Sequence, residues 1–337
     1  MTDKQNAPIA VLGAGSWGTA LALYLSRRGQ AVRLWTIETD HAGIMQKERT
    51  NNRYMPGFEF PPSLIPQPDL AETLHQVNDI LIAVPSVGFR DTLLLLKPLI
   101  HASTRILWVT KGLNDETGQL LHEVAAEILG TQRSYAVLAG PSFAREVAAG
   151  LPTAVTIASN DETFTKDLIT RFNSPIFRVY FSQDIVGVEV GSVVKNVLAI
   201  ATGISDGMGF GANARCALIT RGLSEMQRLG SALGAHPETF MGLAGVGDLV
   251  LTCTDDQSRN RRFGLALGRG EKKQEAANAI DQVIEGKRNA ELVIQLARTH
   301  HIDMPICEMV WNVVDEKLTP QKAVENLLSR ETGNESS

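Results

Sequence analysis

The segment Gly13-Ala-Gly15-Ser-Trp-Gly18 constrains the fold of this chain more than any other stretch. It follows the apolar run Ile9-Ala-Val-Leu12 and opens a helical pattern, Gly18 to Arg28, that Gly29 stops. Each glycine has a separate task in that setting. Gly13 permits the tight turn, Gly15 lets the backbone approach a pyrophosphate, and Gly18 lets the helix pack close to the strand. The helix N-terminus then offers unpaired N–H groups and positive potential to phosphates. A turn that merely uses glycine is the bland alternative. The strand before the loop and the helix after it favour a dinucleotide site.

The pattern beyond the loop agrees. Ala31-Val-Arg-Leu-Trp35, Asp79–Val84, Arg105–Val109, Tyr135–Leu138 and Ala154–Ile157 read as further strands, separated by helices. Such alternation implies a parallel sheet with helices on both faces. After about Phe181 the strand signal fades, and helices are expected over roughly 185–202, 214–230, 274–285, 289–299 and 320–330. The last has Thr319 as N-cap and Pro320 at its first position. The 337 residues suit two domains at about 150 residues each. We expect a dinucleotide-binding α/β domain over 1–187, an all-α substrate domain over 188–330, and a disordered polar tail over 331–337. No Gly-, Ser- or Pro-rich linker separates the two domains, so they should pack closely.

Composition removes several classes. Apolar residues at 44% and charged residues at 20% suit a globular chain. A net charge of −5 provides no global footprint for nucleic acid. Cys216, Cys253 and Cys307 are odd in number and form no CxxC pair, so neither a disulfide framework nor a metal site is expected. A reducing, cytoplasmic setting fits. The stretch Ile9–Leu25 imitates a targeting segment, but Asp3 offsets Lys4 ahead of it and three glycines interrupt it. At about 17 residues it is also short for a membrane span, so no signal peptide and no transmembrane helix are expected.

Cofactor choice is less defined. An NAD site usually places Asp or Glu at the end of the second strand, to hold the ribose 2′-OH. Here Thr36 and Ile37 occupy that end, Glu38 comes slightly late, and Arg33 is near but can point away. NADP and NAD are both allowed, with a lean to NADPH.

Four further segments carry candidate chemistry. Lys111 follows the strand ending at Val109, at the sheet's carboxyl edge, where α/β proteins bind ligands. Gly140-Pro-Ser142-Phe-Ala144 follows another strand in the same way. Lys195 sits between Val186 and Thr202, where the only other ionisable residue is Glu189. Its helical face (Val188, Gly191, Ser192, Ala199, Thr202) is mostly small, so a ligand or another domain can come close. No carboxylate lies at i±3 or i±4 to pair with it. Desolvation, with a second lysine nearby, favours the neutral form. A lysine brought toward a pKa of about 7–8 serves as acid or base near neutrality. The alternative is a lysine that snorkels to water. Ser258-Arg-Asn-Arg-Arg262 concentrates arginines, whose forked donors match phosphate. A solvated basic turn is the bland reading, and one short cluster on an acidic chain argues against nucleic acid. Met241-Gly-Leu-Ala-Gly-Val-Gly-Asp248 is a crowded glycine loop ending on an aspartate that could orient a hydroxyl or a lysine, or simply cap a helix.

Together these segments resemble one family, the NAD(P)-dependent glycerol-3-phosphate dehydrogenases of the compact bacterial, biosynthetic type. The matching stretches are GAGSWGTALA (13–22), VTKGL (109–113), AGPSFAREVAAGLPT (139–153), VKNVLAIATGISDGMGFGANARCALITRG (194–222), MGLAGVGDLVLTCT (241–254) and SRNRRFG (258–264). The resemblance implies a Rossmann-like first domain and a helical second domain like that of 6-phosphogluconate dehydrogenase. It implies reversible reduction of dihydroxyacetone phosphate to sn-glycerol 3-phosphate by NADPH or NADH, for phospholipid synthesis, by a homodimer. By the same resemblance Lys195 is the catalytic acid and base, and Lys111 lies near nicotinamide and substrate. Asp248 and Thr252 support the lysine and the reacting oxygens. Arg259 and Asn260 clamp the substrate phosphate, with Arg259 also near the cofactor. Gly140, Ser142 and Ser258 are further substrate contacts. Ser16, Trp17, Ala144, Val283 and Glu285 join the glycine loop as cofactor contacts. Ile37 departs from the pattern, since many relatives put a polar or basic residue there.

Three other readings compete. A hydroxyacid or sugar-acid dehydrogenase would turn the 258–262 cluster on a carboxylate. A non-catalytic NAD(P) sensor would keep the glycine loop but would not need Lys195 in an apolar helix. A cysteine-using dehydrogenase would employ Cys253.

Overall fold

The computed structural model describes residues 7–280 and 283–330; the tail expected at 331–337 lies outside the described residues. The strands are β1 (Ile9–Leu12), β2 (Val32–Trp35), β3 (Thr50–Asn51), β4 (Met55–Glu59), β5 (Leu64–Gln67), β6 (Asp79–Ile82), β7 (Arg105–Trp108), β8 (Tyr135–Ala139), β9 (Thr153–Ser159) and β10 (Phe177–Ser182). Around the sheet lie α1 (Ser16–Arg27), α2 (Thr39–Glu48), α3 (Leu70–Leu74), α4 (Phe89–Leu96), α5 (Leu121–Leu129), α6 (Ala144–Ala149) and α7 (Glu162–Phe172). Then come α8 (Ile185–Gly207), α9 (Ala212–Ala232), α10 (Pro237–Phe240), α11 (Asp248–Thr254), α12 (Arg259–Gly268), α13 (Lys273–Asn278), α14 (Glu285–Thr299), α15 (Pro305–Val314) and α16 (Pro320–Leu328).

One sheet runs in the order β10-β9-β8-β7-β6-β1-β2-β5. β1 and β6 are fully buried and pair in parallel, Ile9 opposite Asp79 and Leu12 opposite Ile82. Their apolar runs suit strands covered on both faces. One face packs on α1, α6 and α7 through Leu21, Leu25, Val147, Phe164 and Phe172. The other packs on α4 and α5 through Phe89, Leu93, Leu121 and Val124.

The sheet expected to be parallel is in fact mixed. β9 runs antiparallel to β8, with Ala136 opposite Ser159 and Ala139 opposite Thr156, and β10 is parallel to β9. Burial at the start of β9 alternates, the mark of a half-covered strand. The reversal sends the chain from β10 back toward the amino ends of the inner strands. α8 then crosses the sheet face, with Ile185 and Val188 in the layer of Trp108 and Val137, and returns to the carboxyl edge.

β3, β4, β5 and β10 lie outside the strands expected from the sequence. Pro56, Gly57 and Pro66 argue against strands, but Pro66 is tolerated because β5 is an edge. In the helical half α10, α11, α12 and α15 also lie outside the expected helices, and α13 ends at Asn278, well short of the predicted 285. The Thr319 cap is present and accepts from Lys322 N.

α8 is the axis of the helical half, packed through Val194, Val197, Ile200 and Ile204 among Met226, Phe240, Phe263, Val293 and Val310. By length and composition it could cross a membrane, yet 89% of its apolar window is buried within the molecule. Its small residues serve helix packing. Added Cβ atoms at Gly203 and Gly207 would lie 2.2 and 2.4 Å from the Arg261 and Leu265 carbonyl oxygens of α12. Reciprocally, Cβ atoms at Gly264 and Gly268 would lie 2.2 and 2.3 Å from the Ile200 and Ile204 oxygens. Two glycine pairs, each four residues apart, thus set α12 directly on the backbone of α8.

Candidate active site

The glycine loop has the geometry its spacing predicts. Gly13 adopts φ +113°, and a Cβ there would meet the Ala83 oxygen at 2.7 Å. A Cβ at Gly18 would meet the Gly13 oxygen at 2.0 Å, whereas one at Gly15 would enter open space. Among the described residues no side chain caps the helix start at Gly15, and the buried Trp17 Nε1 has no hydrogen-bond partner. An open cradle and an uncapped helix terminus fit a dinucleotide phosphate. The 50–59 hairpin braces the loop: Asn51 Nδ2 donates to Ala14 O at 2.8 Å, and Ser16 Oγ donates to Tyr54 O at 3.0 Å.

Beyond the carboxyl ends of β7 and β8 the helical half brings a cluster of charges to the sheet. Lys195 is 4% exposed and Asp248 1% exposed. Lys195 Nζ lies 2.6 Å from Asp248 Oδ1 and donates to Thr252 Oγ1 at 3.1 Å. Lys111 Nζ lies 3.4 Å from Asp248 Oδ2. Thr252 Oγ1 donates to the Asp248 carbonyl at 2.6 Å, which turns its lone pairs toward Lys195. So the carboxylate that Lys195 lacks on its own helix arrives from α11. Asp248 is the first residue of α11, after the N-cap Gly247. The π-helical turn before it, Leu243–Gly247, is crowded: a Cβ at Gly245 would meet the Phe240 oxygen at 2.1 Å, and one at Gly191 the Ala244 oxygen at 2.4 Å.

The two lysines are driven apart in basicity. Burial, helped by the neighbouring Lys111 charge, brings Lys195 down to about 8 against the pull of Asp248. Burial also opposes the charge on Lys111, but Asp248, the contact with Lys195 and Glu285 outweigh it and raise its pKa. Cys253, buried one residue beyond Thr252, is pushed up to about 12 by burial. It stays a thiol at neutral pH, which disfavours the cysteine-based reading.

The Ser258–Arg262 cluster is a helix start. Ser258 is the N-cap of α12 and accepts from Arg261 N. Arg261 turns inward, pairing with Asp206 at 2.5 Å and Asp256 at 2.9 Å. Among the described residues Arg259 has no hydrogen bond or ion pair, although its charge acts on Glu285. Asn260 donates to Asn196 Oδ1 at 2.9 Å and accepts from Gly286 N at 2.9 Å. Asn196 in turn donates to Glu285 at 3.2 Å. Burial raises the pKa of Glu285, against the opposing effect of Arg259, Lys111 and Lys195. Gly140 (φ +143°) and Ser142, whose hydroxyl donates to the Gly140 carbonyl, follow β8, and Pro141 packs near Gly247. Ala144 opens α6, and Val283 is exposed just before α14.

Two participants escaped the sequence reading. Asn196, directly after Lys195 and buried in an apolar helix, was the signal for the amide network. Glu189 accepts from Trp108 Nε1 at 3.1 Å, from His122 N at 3.1 Å and from His122 Nδ1 at 2.6 Å, tying α8 to the strand that precedes Lys111.

A glycine-loop sheet, joined at its carboxyl edge by a buried lysine of lowered basicity, defines a nicotinamide-dependent dehydrogenase. The comparisons agree. The family described as NAD-dependent glycerol-3-phosphate dehydrogenase matches residues 8–165 with its N-terminal model and 184–325 with its C-terminal model. A protein of Coxiella burnetii named glycerol-3-phosphate dehydrogenase [NAD(P)+] is 58% identical over 96% of this chain and 97% of its own. One of Haemophilus ducreyi with the same name is 52% identical over 98% of this chain and 99% of its own. A crystal structure of glycerol-3-phosphate dehydrogenase from Coxiella burnetii superposes with a TM-score of 0.94, covering 97% of this chain and all of that one. The chain belongs to the NAD-dependent glycerol-3-phosphate dehydrogenase family.

Proposed function

We propose that the protein reversibly reduces dihydroxyacetone phosphate to sn-glycerol 3-phosphate with NADPH or NADH, supplying glycerophospholipid synthesis. The observation that carries this is the Lys195–Asp248–Lys111 triad at the carboxyl edge of the sheet, with Arg259 uncommitted beside it. A bound reduced nicotinamide supplies hydride. Lys195, as ammonium, places a proton at the substrate carbonyl oxygen and stabilises the negative charge that develops there. In the reverse direction the neutral amine accepts that proton. Two Lys195 protons are held by Asp248 and Thr252, which leaves one for the substrate. Lys111 adds positive charge near the same oxygen.

Arg259 holds the substrate phosphate, joined by the Asn260 amide, the Ser258 region and the 140–142 turn. The phosphate is remote from the reacting carbon, so its binding energy orients the carbonyl. Gly13, Gly15, Ser16, Trp17 and Gly18 cradle the pyrophosphate, with Ala144, Val283, Glu285, Lys111 and Arg259 as further cofactor contacts. We place the domain division near residue 187, supported by the passage from strands to helices between β10 and α8. A cytoplasmic homodimer that prefers NADPH and does not bind nucleic acid completes the reading.

The test is nicotinamide oxidation with dihydroxyacetone phosphate and with unphosphorylated dihydroxyacetone, using each dinucleotide. The phosphate ester should be strongly preferred; equal turnover of both would sink the assignment. Sedimentation should give twice the monomer mass of 36.6 kDa.

A further inference from the structure

We infer that Arg53 reads the 2′ position of the dinucleotide's adenosine ribose, with Glu38 as its built-in counter-charge. The inference rests on the dehydrogenase reading above. In a sheet of this kind the adenosine ribose lies beside the end of the second strand, just past the glycine loop. Here that corner has three features. Arg33 is turned away, donating to the carbonyls of Glu72, Thr73 and His75 at the end of α3. Ile37 is 74% exposed and offers no donor. Glu38 is the first acid after β2, and its Oε2 accepts from Arg53 at 2.6 Å.

The 50–59 hairpin delivers Arg53 to this place. Asn51 and Tyr54, on either side of it, are both hydrogen-bonded to the glycine loop, through Ala14 O and Ser16 Oγ. The Arg53 guanidinium also lies over the Tyr54 ring, its Cζ 5.0 Å from the ring centroid, which helps hold the group at this corner. Its side chain is 57% exposed and that of Glu38 43% exposed. An ion pair so open to water is weak and readily exchanged. A 2′-phosphate offers Arg53 a stronger, forked set of acceptors. When the 2′ group is a hydroxyl, Glu38 keeps the guanidinium neutralised and can itself accept from that hydroxyl. One pair thus serves both dinucleotides, and Arg53 supplies the margin for NADPH.

The test is equilibrium binding of NADPH and of NADH, followed by nicotinamide fluorescence, for the unaltered protein, Arg53→Gln and Glu38→Gln. Arg53→Gln should weaken NADPH about tenfold while NADH binding is nearly unchanged. Glu38→Gln should tighten NADPH relative to NADH. An NADPH-to-NADH affinity ratio unmoved by both substitutions overturns the role of Arg53 and leaves the dehydrogenase reading standing. Failure of the unaltered protein to bind either dinucleotide overturns both.

Discussion

Lys195 is protonated at pH 7 because its pKa, about 8, lies just above, yet close enough for the amine to serve in the reverse reaction. The pH profile follows with a definite sign. With Lys195 as the proposed acid and base, reduction needs the ammonium and should fall as pH rises through about 8, whereas oxidation needs the amine and should fall as pH drops through it. Asp248 holds the Lys195 pKa up, so Asp248→Asn should move the falling limb of the reduction profile to lower pH. A limb that stays in place would mean another group titrates. Lys195→Ala should cut kcat by about 10²–10⁴-fold while dinucleotide binding persists. Arg259→Ala should chiefly raise KM for the phosphate ester; a change confined to dinucleotide affinity would remove it from the clamp. Far from the site, Glu225 is buried against Ile306 N and Cys307 N at the start of α15, and burial brings it up to about 7. A raised carboxyl pKa contributes stability below the unfolded value and loses it as pH rises through the folded one. The melting temperature should therefore carry a falling component between about pH 4.5 and 7 that Glu225→Gln removes.

At the scale of elements, α8 and α12 are joined through glycine backbones, and α12 begins with Arg259. Gly203→Ala would force its Cβ against the Arg261 carbonyl, 2.2 Å away. Overpacking of this kind costs about 1–3 kcal/mol. Calorimetry should show that loss, and KM for the phosphate ester should rise as the start of α12 is displaced. Unchanged KM with lowered stability would uncouple the helix contact from the clamp. How much of this was legible in the sequence depended on range. Ile9–Leu12 and Asp79–Ile82 announced buried strands by composition, and the loop after the first announced its tight glycine turn by spacing. Lys195 was conspicuous because its own helix offers no partner. That the partner is Asp248 follows only from tertiary packing, since the two are far apart in the chain. The direction of β9 was hidden for a similar reason: local alternation records which face is covered, not which way a strand runs. Pro56, Gly57 and Pro66 concealed the hairpin and β5, because edge positions forgive residues that a central strand would not.

At the scale of the molecule, one helix belongs to both halves. α8 packs against the sheet through Ile185 and Val188 and against the helical core through Val194, Val197 and Ile200. Glu189 ties it to Trp108 and His122. Heating should therefore give one cooperative transition, not two; a resolved early transition of either half would contradict the shared helix. The excess of acid over base, 37 against 32, leaves the chain anionic on balance, while the charges of Arg259, Lys111 and Lys195 all act on one residue, Glu285. A small dianion is thus attracted locally, where a polyanion would meet general repulsion. One more property follows from the Trp17 indole. Its ring sits within the glycine loop, in the first turn of α1 and beside the proposed dinucleotide site, whereas the Trp108 indole is locked to Glu189. Indole emission overlaps the absorption of reduced nicotinamide, so the protein carries its own optical reporter of occupancy, and its glow should dim as the cleft fills.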